Sequence, residues 1–251
     1  MNYDHLGGVK MKIDRVTLRK VKGSFEWDGI FWESRLARPI DIYPEYRESM
    51  PFWGGTQDSN GRFRLSNVFL EIGTDEGLQG VFGPTSEAVA YIIATQLREL
   101  LLGKDPMATE LIWDQMHRSL VHGRQGEAMW AVSVVDCALW DLKGLFFDVP
   151  VYKLIGGATR EEVPAYASML GYDVEDQGLV RQRAKATQEA GYRAQKWFFR
   201  HGPMSGSEGL KKNVEMVEAL RNTLGDDDDI MLDCWQSMDV NYVIRLAEEI
   251  E

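Results

Sequence analysis

From residue 163 onward the chain alternates strand-like and helix-like segments, and this alternation constrains the fold more than any other feature of the sequence. Short apolar runs that predict strands stand at 163–169, 192–199 and 228–233. Amphipathic stretches that predict helices follow at about 178–189, at 207–222 and from Asp239 onward. Three such repeats predict a parallel sheet, because parallel strands need long crossovers, usually helices. A barrel and a doubly wound sheet both remain open.

The residues before 150 follow a different order, with strands first and helices afterwards. Residues 11–22 alternate apolar and polar side chains, and "SNVFLEIGTDEGLQGVFG" predicts a hairpin. Helices are predicted at 86–102, 106–119 and 126–147, the last with an apolar stripe formed by Val132, Val135, Leu139, Leu142 and Phe146. We therefore predict an α+β domain over residues 11–150 and a second domain over residues 151–251.

Between these strands lies an aromatic-rich loop. Residues 23–64 hold no sustained period, yet they carry nine aromatic side chains, among them Phe31, Trp32, Phe52 and Trp53. A long loop inside a compact protein is usually functional or disordered, and the aromatic content argues against disorder. We therefore expect this loop to be functional.

Composition and charge exclude several classes of function. The net charge of −11 argues against a nucleic-acid partner, which usually meets a basic face. No apolar run is long enough for a membrane span, so we expect no membrane partner. Cys137 and Cys234 make no disulfide framework, which favours a reducing cytoplasm. The signature motifs of dinucleotide and phosphate-loop binding are absent from the sequence.

Polar residues follow the predicted strands at the edge where parallel α/β folds bind ligands. Lys196 and Asp233 end consecutive strands, 37 residues apart, and Ser168 ends the strand before them. A carboxylate is a natural ligand for Mg²⁺, and a lysine can bind an anionic substrate. An acid in this position is also often a turn residue or a helix cap, so both alternatives stay open.

The segment around Asp233 carries two further expectations. The apolar run Ile230 to Leu232 predicts a buried strand that leads into the acid. The four acids before it, Asp226 to Asp229, are expected to form a solvated turn at the opposite end of that strand.

Several long motifs resemble the enolase superfamily in its mandelate racemase-type group. They are "VFLEIGTDEGLQGVFG", "SVVDCALWDLKGLFFDVPVYKLIGGATREEVPAYAS", "YRAQKW" and "GDDDDIMLDCWQSMDVNYVIRLAEEIE". The resemblance implies an α+β capping domain followed by a TIM-type α/β barrel, of which this chain holds the first three βα units. Within the superfamily, "MLDCWQSMDVNYVIRLA" and the aromatic loop "FWESRLARPIDIYPEYRES" are most similar to acid-sugar dehydratases of the L-rhamnonate type.

The resemblance also implies a reaction and its residues. A Mg²⁺ ion held by three carboxylates binds the substrate carboxylate and stabilises the enediolate, and loss of the 3-hydroxyl then gives a 2-keto-3-deoxy acid. Asp233 matches the first metal carboxylate, and Lys196 matches the lysine that faces the substrate carboxylate. Candidate contacts to the sugar acid are Arg35, Arg38 and Arg47 in the aromatic loop, with Arg200 and His201 as secondary candidates.

One position departs from the pattern of many relatives. These relatives carry Lys-x-Lys at the end of the second barrel strand, whereas this chain carries Lys196, Trp197 and Phe198. Phenylalanine cannot transfer a proton, so a two-base racemase that uses the second lysine is disfavoured. A dehydratase is favoured, and a racemase or a cycloisomerase is the alternative.

The number of βα units carries a last set of expectations. A TIM barrel has eight strands, and the resemblance implies that two further metal carboxylates and a His–Asp base lie beyond residue 251. We therefore expect a piece of a longer enzyme. The alternative is a short gene product with only a structural or binding role. Self-association into a homo-oligomer is also expected, because three units leave an exposed sheet edge.

Overall fold

The structure, a computed structural model, describes residues 11–27, 32–49, 56–57 and 61–251. Three aromatic residues of the aromatic-rich loop, Phe31, Phe52 and Trp53, lie outside these ranges. The chain forms two compact units, residues 1–25 with 64–161, and residues 26–63 with 162–251. The predicted domain boundary at residue 150 stays a prediction. The two units group residues 26–63 with the later residues and divide the rest of the chain after residue 161.

The first unit combines an antiparallel hairpin with helices. Its strands are β1 (Ile13–Glu26), β3 (Arg62–Thr74) and β4 (Gln79–Thr85), and β3 pairs with both others. Its helices are α1 (Glu87–Ile92), α2 (Arg98–Leu101), α3 (Thr109–Ser119), α4 (Glu127–Phe147) and α5 (Val151–Leu154). A π-helical turn, Ile93–Leu97, joins α1 to α2, so the helix predicted over 86–102 is interrupted. The predicted hairpin is present, with β3 and β4 antiparallel.

Helix α4 forms the centre of the first unit's core. Val132, Val135, Leu139 and Leu142 of the predicted stripe are fully buried and belong to one cluster with Leu70 and Ile72 of β3, whereas Phe146 is only half-buried. Strand β4 lies directly on this helix. The Val81 amide of β4 donates to Asp141 Oδ2 at 2.8 Å. The approach is so close that a Cβ at Gly80 would lie 2.2 Å from the Ala138 carbonyl oxygen.

The second unit contains a three-stranded parallel sheet with helices. Its strands are β5 (Ala167–Ser168), β6 (Ala194–Phe198) and β7 (Asp229–Asp233), in the order β5-β6-β7. Its helices are α6 (Gln177–Glu189), α7 (Gly206–Leu224) and α8 (Val240–Ile250). This unit also contains three short 3₁₀ turns, at Pro39–Ile42, Pro44–Tyr46 and Pro203–Ser205. It further includes a two-residue strand, β2 (Thr56–Gln57). The three predicted βα repeats are therefore present.

Buried polar contacts fix the orientation of β6. Gln195 is fully buried, and its Nε2 donates to the Ala184 carbonyl of α6 at 2.9 Å. Its Oε1 accepts a hydrogen bond from Trp197 Nε1 at 3.1 Å. Because side chains alternate along a strand, Gln195 and Trp197 share one face of the sheet, and Lys196 and Phe198 share the other.

Strand β7 differs from its prediction in burial. Ile230, Met231 and Leu232 are half-buried instead of buried. Among the described residues β7 pairs only with β6, so it is an edge strand, and its side chains lack neighbours on one flank. Strand β5 is also shorter than predicted, with two residues in place of seven.

The acidic turn before β7 also differs from its prediction. Asp226, Asp227 and Asp229 are exposed as expected, but Asp228 is only 2% exposed. Its Oδ2 accepts a hydrogen bond from Gln188 Nε2 of α6 at 2.6 Å, and its Oδ1 lies 2.8 Å from Arg193 Nε. This carboxylate is therefore an internal tie between α6 and the start of β7. Burial without such partners would be costly.

Helix lengths and apolarity bear on the membrane prediction. In the described part of the chain, no helix combines the length and apolar character that crossing a bilayer requires.

The contact between β4 and α4 predicts the effect of filling Gly80. In Gly80→Ala the new methyl group overlaps the Ala138 carbonyl and the Leu142 backbone, so the free energy of unfolding falls by about 2 kcal/mol or more. Gly23→Ala is the control, because β1 leaves open space around Gly23; its unfolding free energy changes by at most about 1 kcal/mol. Chemical denaturation of both variants measures the difference. Equal stability of the two variants would contradict this packing.

Candidate functional site

Lys196 and Asp233 meet at the carboxyl ends of two neighbouring strands. Lys196 Nζ lies 3.4 Å from Asp233 Oδ2, and both side chains are between a fifth and a quarter exposed. The parallel register pairs Ser168 with Lys196 and Phe198 with Asp233. Register partners point to the same side of a sheet. The structure therefore brings the three predicted strand-end residues to one face.

Asp233 ends its strand in a tight turn. Its Oδ1 accepts a hydrogen bond from the Trp235 amide at 3.0 Å. Trp235 and Gln236 both have left-handed backbone, with φ of 43° and 54°. Residues other than glycine adopt this conformation only at an energetic cost. The surrounding contacts therefore hold the loop after β7 in a specific shape directly beside the carboxylate.

Asp233 meets the chemistry of a metal ligand, but it does so singly. Its Oδ2 faces the Lys196 ammonium, and a hard carboxylate oxygen suits Mg²⁺. Within residues 11–27, 32–49 and 61–251 no group of three His, Cys, Asp or Glu side chains could hold a metal ion. The described residues therefore offer one carboxylate, Asp233, at the place where the sequence predicts a magnesium ligand.

Phe198 occupies the place where many relatives carry a second lysine. It is completely buried and pairs in register with Asp233, so it belongs to the same face as Lys196. The exposed Tyr166 ring lies 5.5 Å from Lys196 Nζ, close enough for a cation–π contact. This face of the sheet thus offers one cation, one carboxylate and an aromatic ring, and Phe198 supplies no proton-transfer group.

Residues 32–49, here called the cap loop, are anchored to the strand ends of the same unit. The Ala37 amide donates to the Phe199 carbonyl at 2.8 Å, and the Glu33 amide donates to the Gly171 carbonyl at 2.8 Å. The Arg183 guanidinium donates twice to the Glu33 carboxylate, at 2.7 Å each. This bidentate geometry is the strongest form of an ion pair, and it holds the pKa of Glu33 below its ordinary value.

Arg35 supports the cap loop from inside. It is 2% exposed, and its guanidinium donates to Asp41 Oδ2 at 2.7 Å and to the carbonyls of Leu36, Tyr46 and Arg47. Burial raises the pKa of Asp41, but the hydrogen bonds from Arg35 and Arg38 outweigh it and hold that pKa below its ordinary value. The contact of Arg35 with a sugar acid stays a prediction. Both terminal nitrogens of its guanidinium already donate within the cap loop.

Four of the five predicted substrate residues line one cavity of about 460 Å³. These residues are Arg38, Arg47, Arg200 and His201. Arg35, Lys196 and Asp233 do not line it, although residues 236–239, directly after the Asp233 turn, do. The cavity is therefore distinct from the strand-end pair.

The charges around the cavity balance. The cationic side chains in its lining are Arg38, Arg47, Arg200 and Lys212, and the carboxylates are Asp41, Glu48, Glu175 and Asp239. Many of these groups already bond to each other or to the backbone: Arg200 donates to Glu48 Oε2 at 3.2 Å, and Arg38 donates to the Tyr46 carbonyl at 2.7 Å. The cavity is thus polar and rich in donors and acceptors, without an excess of positive charge.

Glu175 and Lys212 are members of the site that sequence reasoning missed. Glu175 Oε1 lies 3.1 Å from His201 Nε2 and accepts a hydrogen bond from Lys212 Nζ at 3.0 Å. Burial raises the pKa of Glu175, but these partners outweigh it and keep the carboxyl ionised. Glu175 lies in the loop before α6 and Lys212 on α7. No motif links residues so far apart, so only the tertiary contact reveals them.

Comparison with known proteins identifies the family. A model described as "Mandelate racemase / muconate lactonizing enzyme, N-terminal domain" matches residues 59–156. A model described as "Enolase C-terminal domain-like" matches residues 179–251. The chain belongs to the enolase superfamily, in its mandelate racemase-type group, which confirms the resemblance found in the sequence.

Individual relatives show which members of the family this chain resembles. The chain is 36% identical over 217 residues to the L-rhamnonate dehydratase of Saccharopolyspora erythraea, a match covering 86% of this chain and 51% of that protein. L-rhamnonate dehydratase from Gibberella zeae, at 31% identity, superposes with a TM-score of 0.75 over 95% of this chain and 55% of the other. A Streptomyces coelicolor A3(2) racemase with bound magnesium, at 29% identity, gives 0.68 over 95% and 59%. The chain spans about half the length of the curated relatives it matches.

The surroundings of His201 predict its titration. Burial lowers its pKa below the ordinary value of 6.5, Glu175 opposes this effect, and Arg200 and Lys212 add to it. The neutral ring therefore contributes stability above pH 6.5, and this contribution is lost as the pH falls through the lower folded pKa. We expect the ring-proton resonances of His201 to titrate with a midpoint below 6.5.

The same titration in Glu175→Gln provides the control. Because Glu175 favours the charged imidazole, its removal lowers the midpoint further. A midpoint at or above 6.5 in the unchanged chain would contradict the described burial.

Proposed function

We propose that the protein containing this chain is a Mg²⁺-dependent acid-sugar dehydratase of the L-rhamnonate type, a hydro-lyase. The observation that carries the proposal is the approach of Lys196 to Asp233, 3.4 Å apart at the ends of adjacent parallel strands. The names of the relatives support it, since two of them are L-rhamnonate dehydratases. In this proposal the three βα units belong to a TIM-type barrel and the residues before them to a capping domain.

Lys196 and Asp233 take separate parts of the substrate-binding task. Lys196 Nζ, held beside the Tyr166 ring, would bind the substrate carboxylate. Asp233 would supply one carboxylate ligand to Mg²⁺, which a Gibberella zeae relative also contains. When bound, such an ion polarises the carboxylate and makes the adjacent proton more acidic. Further ligands and the base are expected from later strands of the barrel.

The reaction removes the proton α to the carboxylate and expels the 3-hydroxyl as water, leaving a 2-keto-3-deoxy acid. The chain's own contribution is to bind and orient. Arg38, Arg47, Arg200 and His201 gather at the cavity, where they would contact the hydroxyl-bearing part of the substrate. Arg35 would act at one remove, because its guanidinium holds the cap loop together.

A racemase is the second candidate, since a magnesium-bound racemase is among the similar structures. The buried Phe198 disfavours it, because the face that carries Lys196 offers no second lysine as a base. The substrate we propose is thus a small sugar acid that is dehydrated. A cytoplasmic location and a homo-oligomeric state stay predictions.

The first test combines turnover with metal affinity in the full-length gene product that carries this chain. We expect Mg²⁺-dependent formation of keto acid from six-carbon aldonates. In Asp233→Asn the affinity for Mg²⁺, measured by calorimetry, falls at least about 10-fold because a charged ligand is lost. Asp226→Asn is the matched control, since it removes an exposed acid at the opposite end of the strand. Unchanged Mg²⁺ affinity in Asp233→Asn would exclude it as a ligand.

The second test addresses Lys196. Replacement by alanine in Lys196→Ala removes the cation that holds the substrate carboxylate, so kcat/KM falls about 100-fold or more, and exchange of the α-proton with solvent deuterium is lost. Lys211→Ala is the control, because Lys211 is exposed on α7 and pairs with Glu215 on the surface of the same helix. Full activity of Lys196→Ala would show that its assigned role is wrong.

A further inference from the structure

His201 sits in a prepared position. A Cβ at Gly209 of α7 would collide with Ser205 Cβ and lie 2.9 Å from His201 Cβ, so the base of the His201 side chain packs where only a glycine leaves room. Asn213 is 3% exposed, and its Nδ2 donates to the His201 carbonyl at 2.8 Å. Glu175 Oε1 bonds to the ring at Nε2. Backbone, side-chain packing and ring orientation are therefore each fixed by a different partner.

The partner of Nε2 decides which ring nitrogen carries the proton. Glu175 is an ionised carboxylate, as its lowered pKa shows, and it can only accept hydrogen bonds. Nε2 must therefore donate. Because burial also keeps the His201 ring neutral near pH 7, Nδ1 then holds a lone pair and acts as an acceptor. The pair fixes one tautomer, in which Nδ1 is the acceptor, and His201 is part of the cavity lining.

The cavity lined by His201 suits hydroxyl groups better than an anionic group. Its four cations are matched by four carboxylates. A neutral polyol needs donors and acceptors in alternation, and this lining provides both, with Arg and Lys as donors and Glu as acceptors. An anion would gain little from a lining without net charge.

We propose that His201 Nδ1 accepts a hydrogen bond from a hydroxyl group in the polyol chain of a sugar acid, and that Glu175 is the positioning residue that selects this tautomer. This inference rests on the proposed function, because the sugar acid is the substrate class assigned there. It adds a defined role for His201 and assigns one to Glu175. No proton is transferred, so the step is binding alone.

The first measurement needs no variant. Long-range ¹H–¹⁵N correlation spectra of the full-length gene product at pH 7.5 report which nitrogen of His201 is protonated. We expect the Nε2–H tautomer, and addition of a six-carbon aldonate shifts the Nδ1 resonance, whereas lactate, which lacks the polyol chain, leaves it in place. An Nδ1–H tautomer, or no response to any aldonate, overturns the proposal.

The second measurement compares variants. In Glu175→Gln the Nε2–H tautomer is no longer favoured, and the aldonate dissociation constant rises roughly 3- to 10-fold, the usual value of one hydrogen bond. Lactate binding stays the same. Glu189→Gln, which removes an exposed carboxylate on the neighbouring α6, changes neither quantity. Unaltered tautomer and aldonate affinity in Glu175→Gln would overturn the positioning role.

The two proposals fail in different ways. If the wild-type protein binds aldonates at His201 without dehydrating them, the proposed function is wrong and this inference stands. If it dehydrates aldonates while Glu175→Gln keeps wild-type affinity and KM, this inference is wrong and the proposed function stands. In the expected result KM rises in Glu175→Gln and kcat changes little, because the contact binds the substrate away from the reacting carbons.

Discussion

The buried hydrogen bonds of Gln195 are the constraint on which the candidate site depends. Gln195 donates to the Ala184 carbonyl and accepts from Trp197 Nε1. If Gln195 or Trp197 left the interior, a buried polar group would lose its hydrogen-bond partner. Strand alternation then leaves Lys196 no choice of face. The parallel register with β7 brings Asp233 to that face, and the 3.4 Å ion pair is the result.

In the proposed function, the second unit separates recognition of the substrate carboxylate from recognition of its hydroxyl groups. Lys196 and Asp233 stand at the strand ends, whereas the charge-balanced cavity lies between the cap loop and the segments after β6 and β7. The cap loop can form a wall of this cavity because Arg35 ties it internally and the Glu33–Arg183 bridge ties it to the loop and helix after β5. The arrangement suits a substrate that carries a carboxylate at one end and hydroxyl groups along its chain.

The sequence predicts the elements well where local rules decide them. The apolar stripe of α4, the beginning of α8 directly after Asp239 and the three βα repeats all follow from the spacing of apolar residues. The prediction that Asp228 is exposed is wrong because a run of four acids is typical of a solvated turn. Only the contacts with Gln188 and Arg193 offset the cost of burying its carboxylate. Glu175 and Lys212 could not be found either, since Glu175 meets His201 across 26 residues and meets Lys212 across 37.

A crystal structure of the full-length gene product with Mg²⁺ and a sugar acid tests the central claim most directly. The account predicts an Asp233 oxygen about 2.1 Å from the metal and Lys196 Nζ in contact with the substrate carboxylate, so that the direct Lys196–Asp233 pair is replaced by a bridge through metal and ligand. A metal bound elsewhere, with the 3.4 Å pair between Lys196 and Asp233 unchanged, would contradict it.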